Sequence, residues 1–267
     1  MADAKTLKSR LASGEFDARL KEVYLSDKAV EDQKKRDAVI IDEFVRLFGD
    51  NDSIELFSAP GRTEVGGNHT DHNHGKVLAA SVDLDTVAAA AKRDDGIIVE
   101  KSFKFDALEV DISDLEVHTE EFGKSSGLIR GMCAGFKERG YNIGGFNAAS
   151  MSRVLSGSGL SSSAAYEVLI GTILNHLYND GKVSPVEVAK IAQYAENKYF
   201  GKPCGLLDQT ASSVGSFITI DFKDPSRPSI NKVDFDFASC GHALCIIDTG
   251  GNHSDLTDDY AAVRGEM

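Results

Sequence analysis

The chain of 267 residues contains no tryptophan, only 5 proline and 4 cysteine residues, and fewer basic than acidic side chains, 29 Lys+Arg against 42 Asp+Glu. Each shortage excludes something. Cys133, Cys204, Cys240 and Cys245 form no C-x-x-C pair and are too sparse for a disulfide framework, so reduced thiols are expected. Cys204 stands beside Gly205 and near Asp208, yet a small buried thiol is its expected role. A formal net charge of -13 argues against a protein that neutralises a phosphate backbone, so nucleic acid is not an expected partner. No apolar run is long enough to cross a bilayer, and the segment from Met1 to Lys8 lacks the apolar region of a secretory signal. A soluble, cytoplasmic chain without a membrane partner is expected.

What the chain does have is 42% hydrophobic residues, enough for one large domain or two modest ones, and periodicities of both helix and strand. Thr6 to Phe48 has helical apolar spacing at Val39, Ile40, Phe44 and Leu47, which predicts a helical cover packed on the body. Strands are predicted at Ile54 to Ser58, Val77 to Ala91, Ile97 to Val99, Phe105 to Val110, Phe146 to Ser152, Phe217 to Phe222, Ile230 to Phe237 and Ala243 to Asp248. Helices are predicted from Ser126 to Arg139, from the serine run after Gly159 to about Asn179, from Ser184 to about Tyr199, and from Leu256 to Met267. Ser184-Pro185-Val186-Glu187 has the makings of a capping box with proline at the first helical position. Composition and pattern alone reach a soluble α/β or α+β chain.

Two polar segments stand out. Ala59 to His72 holds an arginine, acids, an amide and two imidazoles among glycines, and is expected to form a loop leaving a sheet edge. By itself such a loop is more often salt-bridged surface than a site. The second is Gly157-Ser158-Gly159-Leu160-Ser161-Ser162-Ser163, which lies between a predicted strand and a predicted helix. Unpaired backbone amides and the helix dipole at such a place favour a phosphate. The segment is neither a Walker loop, since no lysine follows the glycines, nor a dinucleotide fingerprint.

The glycine-serine segment resembles the second signature of the GHMP small-molecule kinases, and three further stretches resemble the galactokinases within that superfamily. These are Gly61 to Gly75, Glu196 to Gln209, and Asp248 to Tyr260, in matching order and spacing. The resemblance implies an α/β (α+β) fold of two lobes, with a mixed β-sheet and flanking helices, the first lobe spanning residues 1–208 and the second beginning at 209–267. It implies ATP-dependent phosphorylation of the anomeric hydroxyl of galactose, with ATP and Mg2+ as cofactors. Asp208 and Arg62 take the catalytic positions, Asn68, His69, Thr70, Asp71, Gly205 and Tyr260 the sugar positions, Gly157 to Ser163 the nucleotide loop, and Ser163 and Glu196 the metal positions. Physically, an aspartate accepts or orients a hydroxyl proton while a guanidinium keeps it ionised.

The chain departs from the family pattern at Asn68, usually glutamate, at His72, usually tyrosine, and at Glu64, usually asparagine. Alternative readings are a kinase for a related hexose or amino sugar, a non-catalytic sugar sensor, and a metal site built from His69, Asp71, His72 and His74. Galactokinases are longer than this chain, so an incomplete second lobe is expected. The oligomeric state is left open.

Overall fold

The amino-terminal cover is three helices rather than one: α1 (Ala4–Ala12), α2 (Asp17–Tyr24) and α3 (Asp27–Phe48). The breaks have local causes. Gly14 takes a φ of 81° beyond α1, and Leu25 closes α2 in the left-handed region at φ 63°. Asp3 accepts the Thr6 amide at 2.7 Å and Ser26 the Ala29 amide at 3.2 Å, so α1 and α3 each begin on a side-chain cap. The computed structural model describes residues 2–155, 157–235 and 239–247, with Ala262 and Glu266.

The sheet has seven strands: β1 (Glu55–Gly66), β2 (Lys76–Lys92), β3 (Ile97–Ser102), β4 (Leu108–Asp111), β5 (Phe146–Ser152), β6 (Phe217–Asp221) and β7 (Ser229–Val233). Its order is β4-β3-β5-β2-β6-β7, with β1 paired to β2. Long β2 is the spine: its first half pairs β6, its second half pairs β5, and β1 runs antiparallel along it. Only β3 and β5 pair in parallel among the described strands, which makes the sheet mixed. The run Ala88 to Ala91 shows strand alternation directly. Ala88 and Ala90 face a core with Ile129, Phe136 and Leu169, whereas Ala89 and Ala91 face one with Ile40, Ile41 and Phe44. The first core is closed by α4 (Ser125–Glu138), α5 (Ser162–Asn179) and α6 (Pro185–Ala195), the second by α1 and α3. The α/β class with flanking helices is therefore observed.

Several expectations are corrected. Arg62 and Glu64 lie within β1, not on a loop beyond it, because bulges between Pro60 and Arg62 and between Glu64 and Gly66 let the strand bend while still pairing with β2. The strand expected at Phe105 to Val110 starts only at Leu108, and Phe105 is exposed in the preceding turn. The strand expected from Ile230 runs from Ser229 to Val233, and residues 243–247 are not in a strand. A short helix, α7 (Leu207–Val214), was not anticipated, and the expected boundary after residue 208 falls inside it. Apart from Ala262 and Glu266, the terminal helix expected from Leu256 lies outside the described residues, as do Asp248 and Tyr260.

Candidate active site

Arg62 on β1 and Asp208 in the first turn of α7 meet across 146 residues of sequence. Nε donates to Asp208 Oδ1 at 2.6 Å and Nη2 to Oδ2 at 2.7 Å, a bidentate pair. The third nitrogen, Nη1, donates to the Gly159 carbonyl at 2.5 Å. The backbone is fastened at the same place: Ser212 Oγ of α7 donates to the Pro60 carbonyl at 2.7 Å, and the Arg62 amide to the Leu160 carbonyl at 3.1 Å. The guanidinium is 8% exposed while the Asp208 side chain remains 30% exposed, so the carboxylate is the member that another molecule can reach. Burial pushes the Asp208 carboxyl up. The Arg62 charge, its hydrogen bonds and one from Ser161 outweigh that and hold the group below the ordinary carboxylate value.

Ser161 links this pair to the glycine-serine loop. It precedes α5 in the left-handed region at φ 55°, and its hydroxyl donates to Asp208 Oδ2 instead of capping the helix. The first turn of α5 thus keeps amides without a side-chain cap, next to the residue that bonds Asp208, and free amides at a helix start attract an anion. Gly157 and Gly159 both adopt φ 74°, Ser158 turns its hydroxyl back to the Leu155 carbonyl at 2.7 Å, and buried Leu160 anchors the loop against Val154 and Ala165. Ser162 and Ser163 begin the helix, and Ser163 Oγ lies 3.3 Å from Glu196 Oε1. Glu196 stands where α6 passes into a π turn, Glu196–Phe200, a wide turn that recurs at functional sites.

On the other side of Asp208 lies the segment from Asn68 to His74. Asn68 and His69 sit consecutively in the left-handed region, at φ 56° and 54°, followed by a 3-10 turn at Thr70–Asn73. Glu64 holds that turn, both carboxylate oxygens accepting the His69 amide at 2.9 and 3.1 Å, and Thr70 Oγ1 donates to the Lys76 carbonyl at 3.2 Å. Asp71 is buried; its Oδ2 accepts the Leu207 amide at 3.3 Å, whereas Oδ1 has no hydrogen-bond partner. Gly205 makes this packing possible, since a β-carbon there would overlap Asp71 Oδ2. Burial pushes the Asp71 carboxyl up, with His72 offsetting part of the rise. Asn68 and His69 remain exposed beside it.

Of the residues expected from sequence, Arg62, Asp71, Gly205, Asp208 and the loop to Ser163 converge, and Tyr260 lies outside the described residues. The alternative metal centre is not formed: His69 faces Glu64 and, among the described residues, no three such side chains are arranged to hold an ion. Cys133 is fully buried, which pushes its thiol up to about 12, and burial drives the Cys204 thiol upward too, so neither is a nucleophile. Sequence reasoning missed the capping role of Glu64 and the hydroxyl of Ser161 on Asp208. It also missed Gln209 and Glu167, both buried beside Glu196.

Comparisons with known proteins agree with this geometry. Residues 42–92 match the galactokinase galactose-binding signature and residues 127–216 the GHMP kinases N terminal domain. Galactokinase of Streptomyces coelicolor is 35% identical over 214 residues, covering 78% of this chain and 54% of that protein. Galactokinase of Bacillus subtilis is 34% identical over 176 residues, covering 64% and 44%. Among solved structures, Lactococcus lactis galactokinase complexed with galactose superposes with a TM-score of 0.67 at 32% identity, covering 75% of this chain and 52% of that one. Methanococcus jannaschii mevalonate kinase, at 16% identity and a TM-score of 0.57, shares the fold. The chain spans about half the length of the curated relatives it matches, 54% and 44% for the two named.

Proposed function

We propose that this chain, which belongs to the galactokinase family of the GHMP kinases, is part of an enzyme that transfers the γ-phosphoryl group of ATP to the anomeric hydroxyl of galactose. The observation that carries the reading is the reachable Asp208 carboxylate, gripped by Arg62, between an amide-rich helix start and the buried, half-satisfied carboxylate of Asp71. Asp71 Oδ1 is buried 3.9 Å from His72 Nε2 and has an unused acceptor position, chemistry that suits a sugar hydroxyl. Asn68, His69 and Thr70 border the same space and supply further donors and acceptors, while the loop from Gly157 to Ser163 offers its amides to the nucleotide phosphates.

In the reaction the hydroxyl oxygen bonds to the γ-phosphorus as the bond from that phosphorus to the bridging oxygen breaks. ADP leaves, and the hydroxyl proton passes to Asp208. A depressed carboxyl is a weak base, but phosphoryl transfer through a loose transition state asks for an ionised group that orients the hydroxyl more than for strong basicity. Arg62 keeps Asp208 ionised and adds positive charge beside the transferring group. The residues also suit Mg2+: Ser163 Oγ and Glu196 Oε1 are hard oxygen donors 3.3 Å apart, and Lys202 Nζ, 3.7 Å from that Oε1, marks the oxygen as facing a cation. When bound there the ion would neutralise charge on the nucleotide phosphates.

The test is ADP release by the complete gene product with MgATP and a panel of hexoses and amino sugars. Galactose should be the preferred acceptor, and Asp208→Asn should cut kcat roughly a thousand-fold while galactose and ATP still bind. A folded protein that binds both ligands without turnover, or an Asp208→Asn variant with wild-type kcat, would refute the assignment. A preference for another hexose would move the substrate and keep the chemistry, with Asn68 and His72 as the positions to exchange next.

A further inference from the structure

A fully buried carboxylate that hydrogen-bonds to neither the sugar segment nor the phosphate loop among the described residues lies one turn beyond Ser163 on α5. Glu167 on α5 is 0% exposed, and its only hydrogen bond among the described residues comes from Gln209 Nε2 at 3.2 Å; its Oε1 has no partner. Gln209, also 0% exposed, follows Asp208 on α7. The same Nε2 donates to Glu196 Oε2 at 2.7 Å. The two oxygens of Glu196 are therefore divided: Oε1 looks toward Ser163 and Lys202, and Oε2 is tied back to Gln209.

That division depends on which way round the Gln209 amide sits. Nε2 has Glu167 Oε2, Glu196 Oε2 and, at 3.5 Å, Cys204 Sγ around it; the NH2 end has a hydrogen for each carboxyl group, and the reversed amide would aim a carbonyl oxygen at the Glu196 carboxylate. Glu167 supplies the second of those acceptors. Its cost is plain, since burial and then the nearby Glu196 charge drive its carboxyl well above the ordinary value, and Glu196 is likewise raised by burial. An apolar side chain would fill this place on α5 without that penalty, so stability does not account for the acid.

We propose that Gln209 is a positioning residue that turns Glu196 Oε1 toward the metal-nucleotide, and that Glu167 acts through Gln209 by fixing the orientation of its amide. The inference rests on the kinase reading, in which Ser163 and Glu196 face the metal. It makes α7 a single device: Asp208 on one residue addresses the sugar hydroxyl, and Gln209 on the next orients the carboxylate for the ion.

The experiment titrates Mn2+ in the presence of ADP against the complete gene product, following free Mn2+ by its paramagnetic resonance, with galactose titrated separately. Wild type should bind both; absence of Mn2+-ADP binding by wild type would refute the kinase reading and with it this inference. Glu167→Met should weaken Mn2+ binding by about ten-fold, the lower end for lost outer-sphere partners. It should leave galactose affinity within about two-fold and the melting temperature unchanged or raised, a split that a purely structural acid would not give. Gln209→Met should weaken Mn2+ binding by about ten- to a hundred-fold. In a Glu196→Gln background either second change should add less than about two-fold, because both act through that carboxylate. Wild-type Mn2+ affinity in folded Glu167→Met, or full additivity with Glu196→Gln, would overturn the proposal while leaving the kinase reading intact.

Discussion

Among the described residues, two arginine-aspartate pairs with a buried guanidinium look alike as residues and differ in what surrounds them. Arg36 on α3 and Asp85 on β2 form one, sealed at 3% exposure for each side chain. Arg62 and Asp208 form the other, with the acid 30% exposed. In the sealed pair every position but Arg36 Nε is taken. Arg36 Nη1 donates to Asp85 Oδ1, Tyr24 and Ser58 hydroxyls donate to Oδ2 at 2.5 and 2.6 Å, and Arg36 Nη2 reaches the Asp85 and Met151 carbonyls at 2.9 and 2.8 Å. The network stitches the helical cover to the sheet and offers nothing to a ligand. Asp208 has the same kind of partner and one hydroxyl besides, yet opens toward the phosphate loop and Asp71. An ion pair of this type becomes catalytic through access and neighbours, not through the pairing itself.

The comparison breaks most sharply on stability. Asp85→Ala leaves the Arg36 guanidinium buried without its paired carboxylate, and should cost about 3–5 kcal/mol in chemical denaturation. Asp208→Asn keeps one acceptor oxygen for Arg62 and, at a side chain 30% exposed, lets water take the donor that loses its partner, so it should cost less than about half as much. Equal losses at the two sites would show that the difference in access carries no energetic weight.

Much of this was legible beforehand, and the remainder was hidden for physical reasons. Strand alternation located β1 and β5 and a continuous apolar run located β2, and Ser184 does accept the Glu187 amide at 3.2 Å at the head of α6, as the capping pattern required. The segments around Arg62, Gly157 to Ser163 and Asp208 carried their own signatures. The three-helix cover was not legible, because the apolar spacing runs on through Gly14 and Leu25 and only backbone conformation breaks it. Helix α7 is 8 residues long, too short for a periodicity to declare itself. A hydroxyl at Ser161 shows no sign in sequence of a partner 47 residues away, and the same holds for Gln209 between two glutamates.

The second prediction concerns pH on the sealed side. Asp37, next to Arg36, is buried, and burial pushes its carboxyl up to about 7 despite the Gln33 amide at 2.6 Å and the Arg36 charge. The folded state then holds a proton that the unfolded chain gives up near pH 4, so this contribution to stability is fully present at acid pH and is lost as pH rises through about 7. Asp37→Asn should remove that slope, raising stability at pH 8 relative to wild type by roughly 2–4 kcal/mol more than it does at pH 4. Denaturation midpoints across the range measure it, and parallel curves for the two proteins would refute it.

The smallest expected effect is on the open side and has the opposite sign. Ser161 donates to Asp208 and is among the groups holding that carboxyl down, so Ser161→Ala should let it rise. Asp208 then protonates earlier as pH falls, and the acid limb of kcat/KM should move toward neutrality by up to about one pH unit, worth about 1.4 kcal/mol. Helix α5 itself should lose little, because the hydroxyl does not cap it. A variant with an unmoved limb and a raised KM for ATP would place the working contact of Ser161 on the nucleotide and leave Arg62 alone to hold Asp208 ionised.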